Sequence, residues 1–290
     1  MENKIRAKLY YFYKNYLGAR LRFSSFPYIT GDTIRNYANH IFDDIKKFNP
    51  LKVKEGDKIF VKADMLEEFF KNVDPEIQNN YYLFSHNSDA VIDENYKNLL
   101  SEKVLYWFAQ NLDFKISDNV LPIPIGLENR WYQRNGKLKP INKVVMKPIK
   151  KDILILSAFN HKTNIIRKDV KDYAEKKEFI TQLDSTEKIE YLTHLSRSKF
   201  NLCPEGNGLD THRIWESLIF NCIPIVINNS FSKNFIQLGI PLLVLDDWSE
   251  LLLLKKNDLN IFYDKYSDIN MSKFSKFDYW ENFINQYLDV

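Results

Sequence analysis

Short apolar runs alternate along this chain with stretches in which apolar residues recur every three or four positions. The first pattern predicts strands and the second amphipathic helices. Residues 1–22 carry Ile5, Leu9, Phe12, Tyr13, Tyr16 and Leu17 at helical spacing. A second helix is predicted over 32–48, on the stripe Ile34, Tyr37, Ala38, Ile41 and Ile45. Strands over 58–61 (KIFV), 80–84 (NYYLF), 104–108 (VLYWF) and 120–125 (VLPIPI) then alternate with helices over 65–71 and 93–100.

Residues 132–151 exchange the aromatic pattern for prolines, a glycine and lysines, and read as a linker. A second series follows, with strands over 152–156, 178–182, 200–203, 223–227 and 241–245. Between them helices are predicted over 164–176, 185–198, 211–221 and 232–238, with a further start at 248–254. An aromatic helix over 273–288 ends the chain, with Phe277, Trp280, Phe283, Ile284 and Tyr287 as its stripe.

Strands alternating with helices build parallel sheets. The predicted fold class is therefore α/β, with two Rossmann-like domains facing a cleft. The first takes residues 1–145 and includes the amphipathic N-terminal helix; the second takes 150–270. Residues 271–290 form a C-terminal crossover helix expected to pack back on the first domain. Ligands of such sheets bind at the carboxyl ends of the strands, so the chemistry is expected in the loops that follow them.

Composition narrows the partners. Of 290 residues 44% are hydrophobic and 27% charged, and the net charge is only +3, which argues against a bulk nucleic-acid binder. The two cysteines, Cys203 and Cys222, cannot supply a disulfide framework or a four-cysteine zinc site, and suit a reducing compartment. No run reaches the roughly 18 apolar residues of a membrane-spanning helix, and the start of the chain lacks a signal-peptide core. Lys4, Arg6, Lys8, Lys14, Arg20 and Arg22 make the first helix basic. It reads either as packed on its own domain or as a foot on an anionic membrane surface.

The most informative stretch is 199–228, KFNLCPEGNGLDTHRIWESLIFNCIPIVIN, which reads as strand, glycine loop, helix and strand. Asp210 or Thr211 is placed to cap the helix. Ile214, Trp215, Leu218, Ile219 and Cys222 form its buried face, with Arg213, Glu216 and Ser217 on the other. A helix start behind a glycine loop suits a phosphate, and a guanidinium fork adds bidentate contacts to a diphosphate. Arg213 and Glu216, three apart, read equally as a salt bridge on a solvated face.

The run CPEGNGLDTHRIWESLIFNCIPIV resembles the nucleotide-sugar-binding half of exostosin-like glycosyltransferases and related GT-B enzymes. Pro204, Gly206, Gly208, Asp210, His212, Arg213, Trp215, Glu216, Leu218, Ile223, Pro224, Ile225 and Val226 carry the likeness. Ser217 and Asn221 depart from it, Asn being the next best residue after Gly in a left-handed cap. Segments FSHNSDA (84–90), WFAQN (107–111) and LPIPIGLENRW (121–131) extend it more loosely. The resemblance implies a nucleotide-sugar donor on the second domain and an acceptor mainly on the first. Arg213 would hold the donor diphosphate and Glu216 its ribose. Gly206, Asn207, Gly208, Asp210, Thr211 and His212 would line the donor site, joined by Asn160 and Arg167 after the first strand of that domain.

An acceptor hydroxyl needs a general base if the anomeric centre inverts. Asp89, Glu128 and Asp32 are the candidates, Asp32 reading also as a helix N-cap. His86, with Asn87, either orients an acceptor or is a satisfied core histidine. The D-x-D metal motif of the GT-A class does not occur, and no histidine pair has metal-ligand spacing, so neither metal nor other cofactor is expected.

The sequence thus predicts a metal-independent glycosyltransferase of polysaccharide or glycoconjugate synthesis. Its partners would be a nucleotide sugar and a glycan or lipid-linked glycan, with no nucleic acid. Its expected location is cytoplasmic, at the inner face of a membrane touched through residues 1–22. A GT-B-fold epimerase or hydrolase, and an inactive glycan- or nucleotide-binding module, are the alternatives.

Overall fold

The computed structural model describes residues 22–132, 135–147, 150–184 and 186–288. Apart from Arg22, the helix predicted over 1–22 lies outside the described residues.

The first domain runs α1 (Gly31–Tyr37), β1 (His40–Phe42), β2 (Asp57–Lys62), α2 (Leu66–Asn72), β3 (Tyr81–His86), α3 (Glu94–Lys97), β4 (Val104–Ala109) and β5 (Val120–Pro122). Its sheet is parallel, in the order β1-β2-β3-β4-β5. With one hand of crossover, a sequential order sends every connection over the same face. The side chains sort accordingly. Ile59, Val61, Tyr81, Leu83 and Trp107 pack with Leu66, Phe69 and Phe70 of α2. Phe60, Tyr82, Phe84 and Phe108 belong to the opposite core, with Ile34 of α1.

After α4 (Leu138–Val145), the second domain runs β6 (Ile153–Ser157), α5 (Ile166–Glu175), β7 (Ile180–Gln182), α6 (Lys188–Arg197), β8 (Ser198–Leu202), α7 (His212–Ile219), β9 (Ile223–Ile227), α8 (Ser230–Gln237), β10 (Leu243–Leu245), α9 (Lys256–Asp264) and α10 (Phe277–Asn285). This sheet is also parallel, but its order is β10-β9-β8-β6-β7. The order reverses between β6 and β8, so a crevice opens past their carboxyl ends. The molecule is therefore the predicted pair of α/β units, and the reversal lies beside the glycine loop.

Four elements depart from the expectation. The helix over 32–48 stops at Tyr37, because His40–Phe42 pairs in register with Ile59–Val61 as an edge strand. The linker over 132–151 contains a helix, α4, whose buried Ile141 and Val144 join the larger core. Pro140 falls in its first turn, where a missing N–H breaks no helical bond. α4 packs on α6 of the second domain. α9 was not foreseen: it buries only Leu259, so no apolar stripe marks it. The last helix is divided at Lys276 into a 3₁₀ turn, Met271–Ser275, and α10.

α10 touches both units. Trp280 meets Trp215 of α7 and Phe235 of α8 edge-on, each at 5.9 Å between ring centroids. On the first sheet Tyr287 lies 5.2 Å from Tyr106 and 6.2 Å from Phe108, and Phe277 lies 5.5 Å from Tyr37. Pro27 O accepts from Phe277 N at 2.8 Å, and Tyr37 Oη donates to Asn285 at 3.1 Å.

Candidate active site

The loops after β6 and β8 wall the crevice, and Arg167 of α5 fastens them together. Its guanidinium donates to the carbonyls of Glu205 (2.7 Å), Pro204 (3.0 Å) and Asn160 (3.1 Å). Burial, with the charge of Arg213 close by, pushes its pKa down to about 10. Arg167, expected at the donor site, borders the larger cavity and ties its two loops together. Asn160, whose Oδ1 accepts from Lys162 N at 3.0 Å, stays on the cavity wall.

At the start of α7 the expected cap is missing. Thr211 stands at the N-cap position, yet no side chain accepts there, and its buried Oγ1 has no partner. The helix start thus keeps its backbone donors uncapped, the condition that favours an anion. Arg213 donates from Nε to Ala158 O at 2.9 Å and lines the cavity. Its terminal nitrogens make no hydrogen bond to the described residues.

Glu216 settles the alternative left open by spacing. It is buried and accepts from Lys188 of α6, not from Arg213. Burial raises its pKa, but the ammonium of Lys188 outweighs that and holds the carboxyl below its usual range. Helical neighbours on one face are visible in sequence; a lysine 28 residues upstream is not.

Asp210 also borders the larger cavity. Its carboxylate is saturated by Trp215 Nε1 (2.8 and 3.0 Å) and by the main-chain N–H of Ile125 in the first domain (2.6 Å). Burial pushes its pKa up to about 7. Its own N–H donates to Asn111 Oδ1 at 2.9 Å. Asp210 is thus a latch between the domains. Gly208 belongs to the same junction: a Cβ there would lie 2.7 Å from Asn111 Nδ2. His212 donates from Nδ1 to Gly126 O at 2.8 Å, which leaves Nε2 facing Glu128 Oε2 at 3.5 Å. Asn207 reaches Asp89 Oδ2 at 3.1 Å. Gly206 also lines the cavity, its carbonyl held by Asn164 Nδ2 at 2.9 Å.

The first-domain candidates separate. Asp89 and Glu128 line the cleft. Asp32 stands apart from both cavity walls. It is fully buried, lies 3.3 Å from Arg22 and accepts from Asn87 Nδ2 at 3.2 Å. Nor does it cap α1: Thr30 does, at 3.1 Å from Thr33 N. His86 is the satisfied core histidine. Its Nδ1 accepts from Asn87 N (2.6 Å) while Nε2 donates to Pro124 O (3.0 Å), and burial pushes its pKa down to about 4. Asn87 has both side-chain atoms engaged, with Asp32 and Asn129. Both residues border the first-domain cavity, but as fixed wall.

Two cavities meet here. The larger, about 740 Å³, lies on the second domain and is lined by Arg213, Glu216, Lys162, Lys188, Gly206 and Thr211 among others. The smaller, about 470 Å³, lies on the first domain, with Asp44, Lys62, Gln110, Trp131 and Tyr132 in its wall. Asp89, Ile125, Glu128, Asn207 and His212 line both. Sequence reasoning did not single out Lys188, Tyr191 or Gln182 of the larger cavity wall. Asn111 was within reach, since WFAQN had been singled out. Among the described residues no cluster of three His, Cys, Asp or Glu has metal-binding geometry.

No protein-family model matches the chain, and no curated protein matches it. Among solved structures, one described as OtsA in its apo form aligns over 82% of this chain and 74% of its own, at 12% identity and a TM-score of 0.46. A UDP-forming α,α-trehalose-phosphate synthase from Burkholderia vietnamiensis aligns over 81% and 75%, at 8% identity and a TM-score of 0.43. An α1,3-fucosyltransferase solved with GDP-fucose aligns over 86% and 94%, at 15% identity and a TM-score of 0.38.

Proposed function

We propose that this protein is a glycosyltransferase that moves a sugar from a nucleotide-sugar donor to a hydroxyl of a glycan. The observation that carries the proposal is the shared wall of the two cavities. A donor in the larger cavity and an acceptor in the smaller would meet where Asp89 and Glu128 stand. The start of α7, Arg213 and Lys162 would take the diphosphate, and Glu216 the ribose hydroxyls. Fixed positive groups at a developing diphosphate stabilise its departure without a metal. In the inverting case one carboxylate of the junction takes the hydroxyl proton as the oxygen attacks the anomeric carbon.

The narrower assignment, an exostosin-like enzyme of polysaccharide synthesis, rests on the run 203–226. The basic, aromatic residues 1–22 would give peripheral contact with the inner face of a membrane; failure to float with anionic vesicles would remove that part.

The test is a thermal-shift panel of UDP, GDP, CMP, dTDP and ADP, with and without EDTA, on wild type and Arg213→Ala. A ligand of the folded state at about 100 times its Kd adds roughly 2.7 kcal/mol. We expect one nucleotide to raise Tm regardless of EDTA, and Arg213→Ala to abolish the shift with its own Tm unchanged. No shift with any nucleotide would overturn the donor site. Turnover of the donor without a glycan would favour a hydrolase or epimerase.

A further inference from the structure

Two polar side-chain atoms on the wall of the larger cavity are buried without a hydrogen-bond partner, Thr211 Oγ1 and Gln182 Nε2, and a third buried group there, Tyr191 Oη, has the carboxylate of Glu216 beside it. Buried polar groups are normally paired, so an exception facing a cavity calls for a ligand. Thr211 opens α7, and Tyr191 lies beside Glu216. Both fall in the region given above to diphosphate and ribose. Gln182 stands apart from them.

Gln182 ends β7 and is the register partner of Ser157 in β6. The next residue, Leu183, donates its N–H to Ser157 O at 2.9 Å. Arg213 is anchored on Ala158, one residue past Ser157. β7 lies on the far side of β6 from β8. With strands about 4.8 Å apart, the end of β7 is roughly 10 Å from the end of β8. A nucleoside whose diphosphate sits at α7 would extend in that direction by about that length. Half-buried Leu183 offers apolar surface to a ring there, and Lys171 and Thr186 complete the rim.

We propose that Gln182 reads the nucleobase of the donor, its amide hydrogen-bonding the polar edge of the ring. The assignment rests on the nucleotide-sugar reading above. A primary amide presents a donor beside an acceptor, whereas a carboxylate presents acceptors only. Glu at this position would therefore alter which base edges fit, while keeping the shape of the side chain.

The experiment is calorimetric titration of UDP, GDP, ADP, CDP and inorganic pyrophosphate into wild type, Gln182→Ala, Gln182→Glu and Arg213→Ala. Wild type should bind one nucleotide more tightly than pyrophosphate. Gln182→Ala should weaken that nucleotide by about tenfold or more, with pyrophosphate affinity held within about twofold as the control for folding. Gln182→Glu should change the ratios of affinity among the four bases, and Arg213→Ala should weaken nucleotide and pyrophosphate alike. Unchanged affinities in both Gln182 variants, or equal losses of nucleotide and pyrophosphate, would overturn the role of Gln182 and leave the donor site standing. Wild type that binds pyrophosphate as tightly as every nucleotide, or binds none of them, would overturn the donor site and this assignment with it.

Discussion

Asp210 holds a carboxylate where the two domains touch, and its raised pKa makes that contact sensitive to pH. An acid whose folded pKa lies above its unfolded value of about 3.9 stabilises fully below the latter. It loses that contribution as pH climbs toward its folded value, here about 7. Asp210→Asn does not titrate, and its NH2 puts a donor in place of one of the two oxygens that accept from Trp215 and Ile125. We expect it to be less stable than wild type at pH 5, with the gap in Tm narrowing toward pH 8. A constant gap would show that Asp210 titrates normally. Glu128 and Asp89 divide by the same kind of test. Glu128→Gln and Asp89→Asn keep their shapes, so the one that serves as base should lose about 10²–10⁴ in kcat. The other should act mainly on the KM of the acceptor. Equal, small effects would place the base elsewhere. At this scale sequence reached the residues whose role is local. Asn221 takes φ 51° after α7, as its place in the cap requires. The contacts of Arg167 and His86 were not legible, because their partners include main-chain atoms of loops far along the chain.

Elements were legible where a run is long and its periodicity unambiguous. The strand over 223–227 matches residue for residue, since five apolar residues follow a helix cap and end at asparagines. Ile41 fits both a helical stripe and an edge strand, and only pairing with β2 decides between them. A proline inside 132–151 hid α4, because a break and a first turn look alike in sequence. The loop between β8 and α7 shows why its glycines sit where they do. Gly208→Ala would drive a methyl into Asn111, whose side chain also holds Asp210 N. We expect Tm to fall and donor affinity to drop, with the added Asn111→Gly restoring part of the affinity. If Gly208→Ala leaves both unchanged, the close approach is not required.

The two sheets share one continuous core, which contains Phe84 and Phe108 of the first and Phe200 and Ile225 of the second. Asn234 adds side-chain bonds across the junction, to Phe114 O at 2.8 Å and from Ile116 N at 3.1 Å. Calorimetry should therefore show one unfolding transition, not two. Trp280→Ala, which empties a site touching both units, should cost about 3–5 kcal/mol while keeping the transition single. Two resolved transitions in wild type would contradict a common core.

α10 also bears on the order in which the protein is made. Chains leave the ribosome N-terminus first, and domains usually fold as they emerge. Here Tyr106 and Phe108 rest on Tyr287, which is translated long after them. The first sheet must wait for the whole second domain before that side is covered. Until then its aromatic face is a surface that a chaperone would recognise, and a premature stop before residue 277 would leave it permanently bare.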